Sequence, residues 1–182
     1  VTQTAAEPAK LSNMPLAAQA HISALLGRDQ SSYHPVPRAS GFRMENKNHR
    51  LTADFTSKGV EVRAGRASWS LALSAYGYGN ELRAAVAVVP HADGNRLEYR
   101  RRGLTEWYLN GPLGLEQGFT LAQPLGEGRG DPLTLAFTLS GNLTASVDLT
   151  GRDAILSRAD GTPALRYRGL TAHDATGREL RA

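Results

Sequence analysis

The chain has 182 residues, of which 41% are hydrophobic and 21% are charged, and its formal net charge is +4. This length is enough for one folded domain that buries about two thirds of its unfolded surface, and no run approaches the roughly 20 apolar residues that a membrane-spanning helix needs. The absence of cysteine excludes disulfides, thiolate catalysis and cysteine-ligated zinc, and the dispersed positive charge lacks the dense basic stripe of a nucleic-acid-binding protein.

Residues 1–12 are small and polar, a composition typical of an extended N-terminal arm. The chain begins with Val1 rather than Met, and Thr2-Gln3-Thr4-Ala5-Ala6 follow, which favours a precursor from which a signal peptide has been removed. We therefore expect an extracellular or cell-surface protein.

A single helix is predicted at residues 14–26. Asn13 is a suitable N-cap, Pro15 fits the first turn, and apolar side chains recur with roughly helical spacing until Gly27 stops the run. Two X-Pro steps then favour an extended linker, so that the helix and the linker together occupy residues 13–40.

From residue 41 onward the apolar residues recur with period two, the period of a strand with one buried face. Turn signals that contain glycine separate these runs. The pattern predicts a mainly β fold, an antiparallel β-sandwich of about ten strands with one short N-terminal helix, and the sandwich domain occupies residues 41–182. The apolar sets that define the strands are Leu51/Ala53/Phe55, Val60/Val62, Trp69/Leu71/Leu73, Val86/Val88, Leu97/Tyr99, Leu133 to Leu139, Leu143 to Leu149 and Leu165/Tyr167.

The stretch from Glu106 to Leu121 places Trp107 and Phe119 among glycines. Its pattern predicts a strand that ends at Leu109, a turn, a glycine-rich crossover at residues 113–118 and a new strand that begins at Phe119. Both aromatic rings are predicted to be core residues that hold the crossover against the sheets.

Five segments of the chain resemble a known domain family: residues 22–29, 59–62, 76–79, 98–120 and 170–178. They are similar to the N-terminal domain that precedes FG-GAP (integrin-like) repeats in large secreted bacterial proteins. The resemblance implies a β-rich secreted module without a catalytic role. The family's chains continue into further strands and repeats with calcium loops, whereas this sequence contains no Asp-x-Asp-x-Asp-Gly loop, so calcium binding is not carried over.

No residue pattern in the chain predicts catalysis, a metal site or a cofactor. None of the five histidines has the helical i, i+4 spacing of a zinc site, and nucleophile-turn and phosphate-loop motifs are absent. Glu98, Glu106 and Glu116 are the carboxylates that a sandwich glycosidase would use, and the first two share a face only if one strand runs through both. Because Gly103 interrupts that strand, solvated strand faces are the preferred interpretation.

Two functions from different classes remain open. One is a carbohydrate-binding or adhesin-type module of a larger secreted protein, in which Tyr76, Tyr78, Trp107 or Tyr108 stacks on a sugar ring. That hypothesis requires exposed rings, since a buried ring cannot stack on a ligand.

The other hypothesis is a non-enzymatic structural module that assembles with copies of itself. The sandwich is expected to end before its closing strands and to leave an open edge of unpaired backbone groups. The arm Val1–Leu11, and above all Val1, Thr2, Gln3, Thr4, Ala5 and Ala6, is the predicted donor of an added strand. If each copy donates its arm to the next copy, the contact repeats without closing a ring, so this hypothesis predicts a filament. The alternative is that the arm lies along its own sandwich.

Overall fold

A computed structural model describes residues 14–126 and 130–181 of the chain. The fold is mainly β, with 53% strand and 10% helical residues, which confirms the predicted class. Helix α1 (Leu16–Asp29) and a 3-10 helix (Ser31–Tyr33) come first. The strands that follow are β1 (Val36–Arg38), β2 (Gly41–Asn46), β3 (Leu51–Thr56), β4 (Gly59–Ala64), β5 (Ala67–Tyr78), β6 (Glu81–Ala84), β7 (His91–Asp93), β8 (Arg96–Arg101), β9 (Leu104–Gly111), β10 (Gly114–Thr120), β11 (Leu133–Gly141), β12 (Thr144–Val147), β13 (Ala154–Ser157), β14 (Pro163–Tyr167), β15 (Ala172–His173) and β16 (Glu179–Leu180).

Two antiparallel sheets form the body of the sandwich. The larger sheet has seven strands in the order β1-β2-β3-β4-β5-β11, and β6 pairs with the far end of β5. The smaller sheet has four strands in the order β10-β9-β8-β7. Consecutive strands are joined mainly by short hairpins, which suits the strand spacing near ten residues in the sequence; the pairing of β5 with β11 is the main exception.

The core lies between the two sheets. Phe55 on the larger sheet meets Tyr108 on the smaller sheet edge to face, with ring centroids 4.9 Å apart, and Leu97 and Tyr99 of β8 are fully buried beside them. The Tyr99 hydroxyl donates to the backbone carbonyls of Thr56 and Gly59 at the turn between β3 and β4. Aromatic side chains therefore hold the sheets together through both apolar contact and hydrogen bonds.

A second apolar cluster lies at the side of the sandwich where β10 and β11 run, which we call the open side. Phe119 of β10 and Phe137 of β11 have ring centroids 5.8 Å apart, and Leu73 and Leu104 are buried behind them. Each of the two strands is the outermost strand of its sheet. On the open side, the two sheets are therefore connected by side-chain contacts and not by strand pairing.

Helix α1 packs against β9 through its smallest residues. Ser23 and Gly27 are the buried residues of the helix, and a β-carbon at Gly27 would collide with the backbone carbonyl oxygen of Asn110. The helix ends at Asp29, so the prediction that Gly27 stops it is wrong. Gly27 allows the helix to lie in close contact with β9. The stabilisation from this contact outweighs the low helix propensity of glycine.

Three buried asparagines connect the helix region to both sheets. Asn110 donates to the backbone carbonyls of Tyr33 and Glu45 and accepts from Asn46, while Asn95 donates to the carbonyl of Ala24 in the helix. All described buried side-chain nitrogen and oxygen atoms have a hydrogen-bond partner. The network holds the helix region against the two sheets, because each lost hydrogen bond would leave a buried polar group unpaired.

Two smaller sheets follow the sandwich, with the orders β12-β13-β14 and β15-β16. The Tyr167 hydroxyl of β14 donates to Gln117 of β10 at 2.8 Å, and Leu16 of the helix lies against Gly169. The C-terminal segment therefore contacts the smaller sheet through β14 and the helix through Gly169.

Three further local predictions are wrong. The linker contains the 3-10 helix and β1, and Tyr33 within it is buried. Val86 and Val88 lie in a segment without strand pairing between β6 and β7. Residues 113–118 do not form a crossover, because β9 and β10 pair directly in a hairpin with Gly111 opposite Gly114.

Candidate interaction site

Two of the four predicted sugar-stacking rings are buried. Tyr76 is 3% exposed and Tyr108 is 2% exposed, and both face the interior between the sheets, where each hydroxyl has a partner. Tyr76 donates to the backbone carbonyl of Arg102, and Tyr108 donates to Glu106. Neither ring presents a face to solvent, so the prediction that they stack on a sugar is wrong for these two residues.

The other two rings are partly buried. The Trp107 indole lies on the outer face of the smaller sheet, where it covers Gly118 of the neighbouring strand, and the Arg96 guanidinium lies 4.7 Å from the ring centroid. Trp107 is therefore not the predicted core residue, and its ring already has Arg96 and Gly118 as neighbours. Tyr78 lies at the end of β5, opposite Leu133 and Glu81 of the adjacent strands.

The candidate carboxylates do not converge. Glu98 on β8 is paired with Trp107, whereas Glu106 on β9 is paired with Tyr99, so the hairpin places Glu98 on the outer face and Glu106 on the inner face. Glu116 lies on the outer face of β10, opposite Leu109. Glu98 and Glu106 thus lack the shared face that a glycosidase pair requires.

Glu106 is the centre of a buried polar cluster between the sheets. Its carboxylate accepts from Arg101 Nη1 at 2.8 Å, with side chains 4% and 6% exposed, and from the Tyr108 hydroxyl and the Gln117 amide. Burial, followed by the negative charge of Glu106, raises the pKa of Tyr108 well above its usual value. The same two causes raise the pKa of Tyr167 to about 12, although this residue is 48% exposed.

Tyr167 connects β14 to this cluster. Its hydroxyl donates to Gln117, which in turn donates to the Glu106 carboxylate. The cluster is fully occupied by its own partners, so it stabilises the fold and holds β14 against β10, and it has no free group for chemistry.

Two carboxylates on the outer face of the smaller sheet have pKa shifts of opposite sign. Hydrogen bonds from Arg96 at 2.6 Å and Arg100 at 2.7 Å, with their charges, lower the pKa of Glu98. Burial raises the pKa of Glu116, and the charge of Arg96 only partly offsets it. Their contributions to stability therefore depend on pH in opposite directions.

We expect Glu98→Gln and Glu116→Gln to change the pH dependence of stability with opposite sign. The contribution of Glu98 is complete above its unfolded pKa of about 4.3 and is lost as the pH falls through its lower folded pKa. For Glu116 the contribution is complete below about 4.3 and is lost as the pH rises through its higher folded pKa. Glu98→Gln should lower the free energy of unfolding at pH 7 by about 1 kcal/mol, and Glu116→Gln should raise it.

Urea denaturation between pH 3 and pH 7 measures both effects. The two variants are matched controls for each other, since each removes one carboxylate from the same sheet face. Parallel stability curves for the two variants would contradict the prediction.

The larger sheet has a shallow groove of about 320 Å³ on its outer face. Its lining includes the hydroxyl groups of Ser70, Thr138 and Ser140 and the carboxylates of Asp54 and Glu61. Arg63 of β4 bonds to both carboxylates, to Asp54 on the neighbouring strand β3 and to Glu61 on its own strand. The groove has no aromatic lining residue, so it offers no platform for a sugar ring.

Each of the two sheets has an unpaired outer strand on the open side. Within the described ranges, β11 pairs only with β5 and β10 pairs only with β9. Leu133 and Leu139 of β11 are 41% and 47% exposed, although Leu139 follows the inward-facing Phe137 by two residues. The apolar row of β11 is therefore only half covered by the smaller sheet.

The sequence predicted an open edge but not its location. Residues 133–141 contain no charged side chain, but neither does the central strand β5, so the absence of charge does not identify β11 as the edge. The predicted donor residues lie outside the described residues, and the structure therefore gives no position for them: Val1, Thr2, Gln3, Thr4, Ala5 and Ala6.

Neither of the helices in residues 14–126 and 130–181 has the length and apolar character to span a bilayer. The same residues contain no group of three or more potential metal ligands of the His, Asp or Glu type. Comparisons with protein-family models, with curated proteins and with solved structures found no match to the chain. The resemblance to the domain that precedes FG-GAP repeats therefore stays a prediction.

Proposed function

We propose that the chain is a non-enzymatic extracellular interaction module that assembles with copies of itself, and that the arm Val1–Leu11 of one copy adds a strand to the next. The observation that carries this proposal is the open side, where both sheets end in strands with an unpaired edge. An unpaired edge is a row of backbone donors and acceptors, which an extended segment can satisfy by strand addition.

A structural role is also supported by the state of the carboxylates. Glu106 is enclosed by Arg101, Tyr108 and Gln117, and Glu98 accepts from two arginines. Groups that are fully engaged in holding strands together contribute to stability, and a general acid or base needs a free position next to its substrate.

The proposed assembly is open-ended. The arm precedes helix α1, which packs on β9, while the open side is formed by β10 and β11. If the arm crosses to another copy, the donor surface and the acceptor surface are different parts of the molecule. Such a contact repeats from copy to copy and produces a filament unless the rotation closes a ring.

The carbohydrate-binding alternative has weaker support. Tyr76 and Tyr108 are buried, and the Trp107 ring is in contact with Gly118 and with the Arg96 guanidinium. Of the four predicted rings, Tyr78 alone has no stacking partner among the described contacts, and a single ring does not form a planar binding platform.

Replacement of residues 1–11 by a glycine-serine segment of equal length should abolish polymers of the purified chain. The substitution removes the β-forming side chains of the donor and keeps the chain length, and the sandwich should stay folded because its described core lies within residues 33–156. Sedimentation velocity and negative-stain electron microscopy measure assembly, and circular dichroism checks the fold. A variant that still forms polymers would remove the arm from the mechanism.

A further inference from the structure

We infer that β11 (Leu133–Gly141) is the acceptor strand, and that its occupant is the arm of a second copy of this chain. This inference rests on the proposed function and specifies which edge takes part. It follows from a comparison of all the edge strands that the structure describes.

β11 has the properties of an edge that accepts another strand. It contains nine residues, and therefore extends for about 30 Å. Its sequence Leu-Thr-Leu-Ala-Phe-Thr-Leu-Ser-Gly has no charge and no proline. Long, uncharged edges rich in β-forming residues pair readily with other chains.

The other outer strands of the described sheets each carry a feature that opposes pairing. Natural edge strands are protected by short length, by charges or by proline. β1 has three residues with Pro37 at its centre, β7 has three residues with Asp93 at its end, and β6 contains Glu81 and Arg83. β12 has four residues, β14 contains Pro163 and Arg166, and β15 and β16 have two residues each.

β10 is the other long edge, and three observations disfavour it. It carries Glu116 and two glycines within seven residues. Gly118 lies beneath the Trp107 indole. The Tyr167 hydroxyl of β14 bonds to Gln117, so the C-terminal sheet already approaches this strand. Of the two edges on the open side, β11 is therefore the accessible one.

The side chains of β11 also favour an added strand. Leu139 is 47% exposed and Leu133 is 41% exposed, although Leu135 and Phe137 between them pack into the second core cluster. A strand beside β11 would extend the larger sheet and cover this half-exposed apolar row. Hydrophobic burial would then add to the backbone hydrogen bonds.

The arm has matching chemistry. Residues 1–6 are uncharged, and if they are extended, Val1, Gln3 and Ala5 share one face while Thr2, Thr4 and Ala6 share the other. Pro8 lacks a backbone donor and limits the pairing to about seven residues. A segment of that length extends for about 23 Å and fits within the length of β11.

The test uses two full-length variants that block opposite partners. Thr138→Lys/Ser140→Lys places two charges on the β11 edge at exposed positions, and Thr4→Pro/Ala5→Pro removes two adjacent donors from the arm, one on each side of the strand. For each variant alone, the fraction of chain in polymers should be at least about tenfold lower than for the unchanged chain. A 1:1 mixture should form a discrete dimer, because one intact arm remains for one intact edge.

The control Thr171→Lys/Ala175→Lys adds the same charge at exposed positions outside the strands and should polymerise as the unchanged chain does. Circular dichroism and thermal unfolding verify that each variant is folded, and the mixed dimer shows that both variants remain competent partners.

The outcomes separate the two claims. If the arm variant polymerises, the proposed function fails. If the arm variant is inactive but the β11 variant polymerises, the function stands and β11 is not the acceptor. If the unchanged chain forms only closed dimers that the β11 variant abolishes and the arm variant does not, β11 pairs with β11 of a second copy, and the assignment of the arm is overturned. If the unchanged chain is monomeric, the arm does not join copies, and both claims fail.

Discussion

Replacement of Arg101 by Met should lower the free energy of unfolding by about 3–5 kcal/mol, because it leaves the Glu106 carboxylate buried without its cationic partner. The two side chains are 6% and 4% exposed, and their ion pair is 2.8 Å long. Two neutral groups, the Tyr108 hydroxyl and the Gln117 amide, would remain as donors. Equilibrium urea denaturation at pH 7 measures the change.

Arg102→Met is the matched control, since Arg102 is the next residue and its side chain is exposed. Its effect should be within about 0.5 kcal/mol. The double variant Arg101→Met/Glu106→Gln should be more stable than Arg101→Met alone, because the uncompensated charge is removed. If Arg101→Met and Arg102→Met have equal stability, the buried ion pair does not contribute to the fold.

Gly27→Ala should destabilise the protein by about 2 kcal/mol or more, although alanine is the better helix former by about 1 kcal/mol. The added methyl group would collide with the Asn110 carbonyl and the Asn95 amide. To relieve the collision, the helix must move away from β9. That movement weakens the hydrogen bonds from Asn95 to Ala24 and from the Leu113 amide to Ser23.

Arg28→Ala is the control for this position, because Arg28 is the adjacent helical residue and is exposed. It should change the free energy of unfolding by less than about 0.5 kcal/mol. Thermal and urea unfolding of the two variants give the comparison. A stabilising effect of Gly27→Ala would show that helix propensity and not contact with β9 governs this residue.

Period-two alternation predicted the fold class because it reports directly which strands have one buried face. The run Leu133 to Leu139 is a strand, and so are the sets around Phe55, Val60 and Leu71. Alternation does not specify which strands pair. The order that brings β11 beside β5 depends on contacts between residues about 60 positions apart, and no local signal encodes them.

The interior polar residues were beyond prediction for a related reason. The inward-facing row of β9 is Leu104, Glu106, Tyr108 and Asn110, and a sequence pattern assigns glutamate and asparagine to the solvent face. Their burial depends on partners from distant elements, such as Arg101 for Glu106 and Asn46 for Asn110. In the sequence, the buried side chains of β9 therefore have the polar character of a solvent-exposed strand face.

The aromatic residues of the candidate site show the same limit. Trp107 was predicted in the core and Tyr108 was proposed to stack on a sugar, but Tyr108 is buried in the core and Trp107 lies on the outer face under Arg96. Adjacent residues of a strand point to opposite faces, so an error of one position in the inner row reverses every assignment. The glycine opposite Trp107 was the informative residue, because it leaves room for an indole on the outer face.

The pairing of β5 with β11 has a consequence for the order in which the chain folds. Strands β2 to β5 join their neighbours in sequence, so this meander can form as soon as residue 78 has left the ribosome. The other edge of β5 then lacks its neighbour β11 until residue 141 has also emerged. Slow, non-local closure of this kind extends the lifetime of a partly folded chain. A nascent chain of this protein therefore carries an exposed β5 edge during the synthesis of about sixty residues, and this interval is when a chaperone has most to protect.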